Sequence, residues 1–133
     1  MPDQNPQNVA AEEALLGSFL IDPQAIADIN GSLKPHHFYM MKHRFIYEAM
    51  RAVHDAETPL DFLTLASELE RRNILEKVGG AVYLSQLIAA TPSAMNARSY
   101  AREVIEAWRR REILSLASEI AQIAYDKESK LNE

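Results

Sequence analysis

The sequence predicts an all-α protein in which a compact bundle of about five short helices precedes one long helix. Three observations support this fold class. Apolar residues recur three and four positions apart, which is the period of an amphipathic helix. Residues that start or stop helices separate these periodic segments. No segment alternates between apolar and polar residues as a half-buried strand would.

Capping residues place the first two helices. Asn8 can cap a helix because its side-chain oxygen can accept a hydrogen bond from a backbone N–H of the first turn. Asp22 and Pro23 end this helix and open the next, with Asp22 as its N-cap and Pro23 at its first position. Asn30 and Gly31 end the second helix. The apolar face of the first helix comprises Leu15, Leu16, Phe19 and Leu20.

A short turn and a longer helix follow. Pro35 opens the turn, which ends near Phe38. The next helix is predicted from about Lys42 to His54, because its apolar residues fall at positions i, i+3, i+4 and i+7. These apolar residues are Ile46, Ala49, Met50 and Val53.

Local signals also delimit the fourth and fifth helices. Asp61 is placed to cap the fourth helix. Asn73 can adopt the left-handed conformation that stops a helix, and Ile74 can fold back as the accompanying apolar contact. A pair of glycines then forms a turn, and residues 81–90 are predicted to be the fifth helix.

The last predicted element is the longest. Residues 93–125 contain neither proline nor glycine, which predicts a helix of roughly 30 residues and about 45 Å at 1.5 Å per residue. The chain is therefore expected to divide into four parts: a flexible tail at 1–8, a globular helical subdomain at 9–90, a long helix at 91–126 and a flexible end at 127–133.

Composition narrows the class of function. The formal net charge of −5 argues against a module that binds DNA through bulk electrostatics. The absence of cysteine excludes disulfides and thiolate metal sites. The polar start of the chain lacks the features of a signal peptide, and no apolar run approaches the roughly 20 residues of a membrane span. We expect a soluble, cytoplasmic protein with no membrane partner.

Three consecutive arginines raise the question of nucleic-acid binding. Neighbouring helical side chains point about 100° apart, so Arg109, Arg110 and Arg111 cannot form one patch. Glu106 precedes the first two by three and four residues, which is a favourable spacing for helical ion pairs. We interpret the run as a charged, solvated helix face; nucleic-acid contact is the alternative interpretation.

The long helix also carries an apolar stripe that extends beyond the arginines. The stripe passes through Trp108, Leu116, Ile120 and Ile123 and shifts around the helix axis. A small bundle cannot cover a helix of this length, because its neighbouring helices are only about 10–12 Å wide. We therefore predict that the outer half of the helix is a protein interface. In the alternative, the whole helix packs on its own bundle.

No cofactor or metal site is predicted. The only glycine pair, Gly79 and Gly80, is not followed by the lysine and hydroxyl residue of a phosphate-binding P-loop. His36 and His37 are adjacent and should point apart, and no cysteine or acidic residue lies at ligand spacing from them. His43 is expected to cap a helix or to pack against its neighbours.

The carboxylates have structural explanations, and no catalytic constellation is evident. Asp22 and Asp61 are explained as helix caps. No nucleophile and base occur together in a motif that is typical of hydrolases. Two acidic pairs are expected on the solvated surface, Glu12 with Glu13 and Glu68 with Glu70.

Five strings that occur in one order along the chain are specific when taken together. They resemble the N-terminal domain of the bacterial hexameric replicative DNA helicase, the DnaB family, over about residues 8–125. The strings are NVAAEEALLGSFLID (8–22), FYMMKHRFIYEAM (38–50), PLDFLTLASELE (59–70), VGGAVYLSQL (78–87) and TPSAMNARSYAREV (91–104).

The resemblance implies a function in DNA replication. In that family the domain forms an all-α collar above the motor ring, pairs through a helical hairpin and builds a trimer of dimers. The collar docks the helicase-binding domain of primase, and the helicase loader is a further expected partner. ATP, Mg²⁺ and most DNA contact belong to a RecA-like motor domain further along the chain, so DNA should bind this domain only weakly.

The sequence ends just after the first arm of the hairpin, so we expect a fragment of a longer helicase with no catalytic site or cofactor of its own. Two alternatives remain, a small helical DNA-binding module and the helicase-interaction domain of a primase, which has a similar helical fold. The resemblance and the apolar stripe together give one candidate site, a protein interface comprising Tyr100, Val104, Trp108, Arg111, Leu116, Ile120 and Ile123.

Overall fold

The computed structural model describes residues 5–126, and every regular element in that range is helical. The predicted all-α fold class, with a long final helix, is confirmed. The predicted flexible end at 127–133 and the first four residues of the predicted tail lie outside the described residues. The α-helices are α1 Val9–Ile21, α2 Gln24–Ile29, α3 Met41–Asp55, α4 Phe62–Arg71, α5 Gly80–Ala89 and α6 Ala97–Tyr125, and 3-10 turns occupy Pro35–His37 and Ala94–Asn96.

The predicted caps are present at the start of two helices. Asn8 caps α1, because its Oδ1 accepts a hydrogen bond from the N–H three residues further on at 3.0 Å. α4 opens with a capping box, in which the side chains of Asp61 and Thr64 each accept from the other's backbone N–H. α2 begins one residue later than predicted, at Gln24, so Pro23 occupies the N-cap position that was predicted for Asp22. Asp22 Oδ1 accepts a hydrogen bond from the N–H of Gln24 at 3.2 Å.

α4 ends in a Schellman motif at the predicted position. Asn73 has a φ of 60°, and its N–H donates to the carbonyl oxygen of Glu70 at 2.9 Å. The N–H of Ile74 donates to the carbonyl oxygen of Leu69 at 3.0 Å, which completes the pair of bonds that define the motif. The side chain of Ile74 packs against the core, as predicted.

α1 lies at the centre of the bundle. Leu15, Leu16 and Phe19 are completely buried, and α1 contacts α3, α5 and α6. A helix that is apolar around most of its circumference is stable only when it is buried. At Gly17, α1 packs closely against α5, because a Cβ at this position would overlap the carbonyl oxygen of Leu87.

Glu12 is buried, with 1% of its surface exposed, so the prediction that it is solvated is wrong. Its carboxylate accepts hydrogen bonds from the N–H of Tyr39 at 2.6 Å and from the N–H of Met40 at 3.3 Å, and His43 Nδ1 lies 2.7 Å away. The segment between the first 3-10 turn and α3 has backbone donors without helical partners. Glu12 supplies their acceptors, which is the physical reason for its burial.

α6 begins at Ala97, four residues later than predicted. The side chain of Ser93 accepts a hydrogen bond from the N–H of Met95 at 3.2 Å and so caps a 3-10 turn. A serine that bonds the nearby backbone in this way competes with the regular helical hydrogen bonds. The α-helix that follows is 29 residues long.

Candidate protein interface

The first turns of α6 belong to the core of the bundle. Ala97, Ala101 and Val104 are buried, and Val104 has only 1% of its surface exposed. Tyr100 is partly buried and packs against the same apolar cluster. The strongest contacts of α6 are with α1. Two of the predicted interface residues, Tyr100 and Val104, therefore face their own bundle.

Trp108 lies against the first 3-10 turn. Its ring centroid is 5.2 Å from that of His36 and 4.7 Å from that of His37. The two histidine rings are themselves 4.5 Å apart, so the expectation that they point apart is wrong. Both rings turn toward the indole, because contact with it removes aromatic surface from water.

His37 is buried and its ring accepts a backbone hydrogen bond. The N–H of Lys34 donates to His37 Nδ1 at 2.9 Å, which leaves Nε2 as the protonated nitrogen of the neutral ring. Burial is the largest cause that lowers the pKa of His37, and the neighbouring cationic groups, His36 first among them, add to it. Together they lower this pKa from 6.5 to about 4.

Arg111 marks the point at which α6 leaves the bundle. Its Nη1 donates to the carbonyl oxygen of Pro6 at 2.9 Å, and its Nη2 donates to the carbonyl oxygen of His37 at 3.0 Å. The guanidinium carbon lies 5.2 Å from the ring centroid of Tyr39. Arg111 therefore joins α6 to the segment before α1 and to the 3-10 turn, and its donors are engaged within its own chain.

Every residue of α6 beyond Arg111 is exposed. Leu116, Ile120 and Ile123 are 58%, 68% and 47% exposed, and Ile113 is 64% exposed. These four residues fall at i, i+3, i+7 and i+10, which is the spacing of the a and d positions of a coiled coil. Contiguous apolar surface of this kind is typical of a protein interface.

The seven candidate residues do not share one face of α6. At about 100° per residue, the two groups point roughly a third of a turn apart. The structure brings the inner group together against the bundle and leaves the distal group open to solvent on another side. Whether either group contacts a partner stays a prediction. The inner group is Tyr100, Val104, Trp108 and Arg111, and the distal group is Leu116, Ile120 and Ile123.

The predicted ion pairs beside the arginine run are confirmed. Glu106 Oε1 lies 3.4 Å from Arg110 Nε, and Glu106 Oε2 lies 4.0 Å from Arg109 Nη1. All three side chains are more than half exposed, so each pair stabilises the helix only slightly. The three consecutive arginines therefore separate into two surface residues and Arg111, which is bound to the bundle.

Residues 5–126 offer neither a metal site nor a membrane span. No group of histidine and acidic side chains in this range is arranged to hold a metal ion. No helix in the same range has both the length and the apolar character needed to cross a membrane.

The chain is similar to known replicative helicases in sequence. A family model described as the DnaB-like helicase N terminal domain matches residues 4–106. The replicative DNA helicase DnaC of Bacillus subtilis (strain 168) is 38% identical over 128 residues, which are 96% of this chain and 28% of the relative. The replicative DNA helicase DnaB of Geobacillus stearothermophilus is 39% identical over 127 residues, with the same coverages of 96% and 28%. The chain thus spans less than a third of the length of these relatives.

Solved structures of the same kind share the fold. The N-terminal domain of DnaB helicase from Mycobacterium tuberculosis superimposes with a TM-score of 0.89 at 38% identity, over 92% of this chain and 89% of that chain. A DnaB-like replicative helicase, solved in a study of its interactions with primase, superimposes with a TM-score of 0.76 at 31% identity, over 86% of this chain and 26% of that chain. Because the family model covers most of the chain and the helical architecture agrees, this chain belongs to the family of DnaB-like helicase N-terminal domains.

Proposed function

We propose that this chain is a non-catalytic scaffold domain of a hexameric replicative DNA helicase. In this proposal it joins helicase subunits and recruits primase, and the helicase loader is a further partner. ATP and Mg²⁺ would bind a separate motor domain, and the protein would work in the cytoplasm. The observation that carries the proposal is the distal half of α6, where apolar side chains remain exposed after the helix has left its bundle.

A second helix is the partner that best fits this surface. The a and d spacing of the distal group suits a helix that packs alongside, with side chains of one helix inserted between those of the other. Full burial of one Leu or Ile side chain contributes about 1.5–3 kcal/mol, so three of them can offset a substantial part of the entropy lost on association. An identical chain is the simplest source of such a helix, because two-fold symmetry covers the same surface on both copies.

The inner group has a supporting role in this proposal. Val104 and Trp108 anchor α6 in the bundle, and Arg111 fixes the direction in which the exposed half projects. A partner helix would therefore meet a surface that is already ordered, which lowers the entropy cost of binding. The partner role of primase is supported by the 31% identical DnaB-like helicase, which was solved in a study of its interactions with primase.

Self-association can be tested by analytical ultracentrifugation with a matched pair of variants. Ile120→Asp places a charge within the apolar stripe, whereas Ser118→Asp places the same charge on the polar side of the same helix. We expect the chain and Ser118→Asp to form dimers at tens of micromolar, and Ile120→Asp to be monomeric with unchanged helicity. A monomer of 15.0 kDa for the unmodified chain would contradict the proposal.

Primase recruitment needs its own measurement. Isothermal titration calorimetry of this chain with the helicase-binding domain of the cognate primase should give saturable binding. The Ile120→Asp variant distinguishes two modes of binding. If this variant gives no binding heat, primase binds only the dimer; if the binding heat is unchanged, primase binds the helical bundle of a single chain. The absence of binding to the dimeric chain would contradict the recruitment part of the proposal.

A further inference from the structure

Four polar side chains form a largely buried network that joins α1, α3 and α5. Glu12 and Glu13 lie near the start of α1, His43 near the start of α3 and Tyr83 near the start of α5. His43 is completely buried, and Tyr83 is 8% exposed. A buried polar group is costly unless it is hydrogen-bonded, so each of these side chains needs a partner. The proposed scaffold function does not use this network.

The distances connect the four side chains in series. His43 Nδ1 lies 2.7 Å from Glu12 Oε1, and His43 Nε2 lies 2.5 Å from the hydroxyl oxygen of Tyr83. The same hydroxyl lies 3.2 Å from Glu13 Oε2. Both ring nitrogens of His43 therefore have an oxygen partner, and the Tyr83 hydroxyl has two partners for its one proton.

The protons on His43 and Tyr83 can be placed in this network in two ways. Glu12 also accepts two backbone N–H bonds, so its carboxylate acts as an acceptor and His43 Nδ1 must carry a proton. If the Tyr83 hydroxyl donates to Glu13, His43 Nε2 must donate to the hydroxyl oxygen, and the ring carries two protons. If the hydroxyl donates to Nε2 instead, the ring is neutral and Glu13 has lost this bond.

We propose that this network is a proton-operated switch, in which one proton taken up from solvent at His43 Nε2 turns the Tyr83 hydroxyl from His43 to Glu13. No covalent bond between heavy atoms changes, and the proton is returned to solvent when the switch reverses. The protonated arrangement adds a hydrogen bond between α5 and α1. The attachment of α5 to the bundle therefore depends on pH.

Charged groups of both signs surround His43. Carboxylates favour the extra proton and cations oppose it. Burial is the main cause that raises the pKa of the Tyr83 phenol, and Glu13 adds to it, so the hydroxyl keeps its proton at neutral pH. The groups that face the network are Glu12 and Glu13 of α1, Tyr39 of the segment before α3, Lys42 and Arg44 of α3, Tyr83 of α5 and Arg111 of α6.

Nuclear magnetic resonance can observe both ends of the switch. The imidazole nitrogens of His43 report how many protons the ring carries, and the carboxyl carbon of Glu13 reports its hydrogen bond. As the pH is lowered, we expect the two signals to change with the same midpoint. The His43 signal is assigned by its loss in His43→Gln.

Two phenylalanine variants provide the comparison. Tyr83→Phe keeps the ring and removes only the hydroxyl, so the response of Glu13 at the His43 midpoint should be lost. Tyr125→Phe removes the hydroxyl of a residue that is 84% exposed at the far end of α6 and should leave the coupled response unchanged. A Glu13 signal that ignores the midpoint of His43, or a His43 ring with one protonation state throughout, would overturn the proposal.

A third variant keeps the proposal testable if Tyr83→Phe fails to fold. Glu13→Gln retains an oxygen acceptor and removes the negative charge that favours the protonated arrangement. The midpoint of His43 should therefore move to lower pH in Glu13→Gln. An unchanged midpoint would show that Glu13 is not coupled to His43, and the switch would be rejected.

Discussion

Arg111 connects the long helix to two other segments of the chain. Its guanidinium donates to two backbone carbonyl oxygens from separate segments, those of Pro6 and His37. Hydrogen bonds made by a charged group contribute more than those between neutral groups. The residue thus links three parts of the chain at the last turn of α6 that touches the bundle.

Replacement of Arg111 by Met should destabilise the fold. The variant keeps much of the aliphatic side chain and leaves two carbonyl oxygens without a donor, so we expect the free energy of unfolding to fall by about 1–2 kcal/mol. Arg110→Met is the matched control, because Arg110 only pairs with Glu106 at an exposed position. Urea denaturation followed by circular dichroism measures both variants. Equal losses in the two would contradict the role assigned to Arg111.

His37 should make the stability of the chain depend on pH below neutrality. Its folded-state pKa is about 4, whereas an unfolded histidine titrates near a pKa of about 6.5. As the pH falls from about 6.5 to 4, the unfolded state takes up a proton that the folded state does not. The free energy of unfolding should therefore fall by about 1–2 kcal/mol in this window, and this contribution is fully present above it.

The comparison with His37→Asn isolates this contribution. Asparagine can accept the hydrogen bond of the Lys34 N–H but does not titrate in this range. Urea denaturation at several pH values should show a shallower loss of stability in His37→Asn than in the unmodified chain. Parallel curves for the two proteins would mean that His37 is not the group responsible.

The packing of α1 against α5 depends on a residue without a side chain. A Cβ at Gly17 would overlap the Thr91 hydroxyl and the Leu87 carbonyl oxygen. Alanine is the better helix former by about 0.5–1 kcal/mol, yet Gly17→Ala should lower the free energy of unfolding by about 2 kcal/mol, because the two helices must separate. Gly31→Ala should be tolerated, since a Cβ added there would have no atom within 4 Å. Thermal denaturation of both variants tests this; equal melting temperatures would contradict it.

Helix boundaries could be predicted where local contacts determine them. The cap at Asn8 and the Schellman motif at Asn73 involve residues within five positions of each other, so short strings contain the whole signal. The burial of Glu12 could not be predicted in this way. Its partners Tyr39 and His43 lie 27 and 31 residues away, and only the packing of α1 beside α3 brings them together.

The position at which α6 leaves the bundle could not be predicted from the sequence, for a similar reason. The periodicity of α6 shows a wide apolar stripe, but periodicity alone does not say where the bundle ends. The bundle covers α6 as far as Arg111. Where this cover ends depends on how the other helices pack together. The contact of Trp108 with His36 and His37 spans more than 70 positions of the sequence, and no local pattern indicates it.

Residues 5–126 form a bundle and a projecting arm. The arm is residues 112–125 of α6, which extend roughly 20 Å at 1.5 Å per residue. Within residues 5–126, several surface arginines are paired with acidic side chains, which leaves fewer of them available to an external anion. Glu106 pairs with Arg109 and Arg110, and Glu68 pairs with Arg71 and Arg72.

This charge distribution predicts weak binding of DNA. The formal net charge is −5, and non-specific binding depends on cations that displace the counterions of phosphates. At about 0.15 M salt, we expect the dissociation constant for a single-stranded oligonucleotide to lie in the usual non-specific range of roughly 10⁻⁴ to 10⁻⁶ M or to be weaker. Fluorescence anisotropy measures this constant over a series of salt concentrations.

Glu106→Gln sharpens the measurement, because it frees Arg109 and Arg110 without moving the backbone of α6. The two released arginines can each neutralise a phosphate, so the logarithm of the affinity should depend more steeply on the logarithm of the salt concentration, by at most about two in slope. Glu119→Gln, at an exposed position of the arm, removes the same charge far from these arginines and should leave the slope unchanged. Submicromolar binding by the unmodified chain at about 0.15 M salt would instead favour a DNA-binding module, since it lies beyond the usual non-specific range.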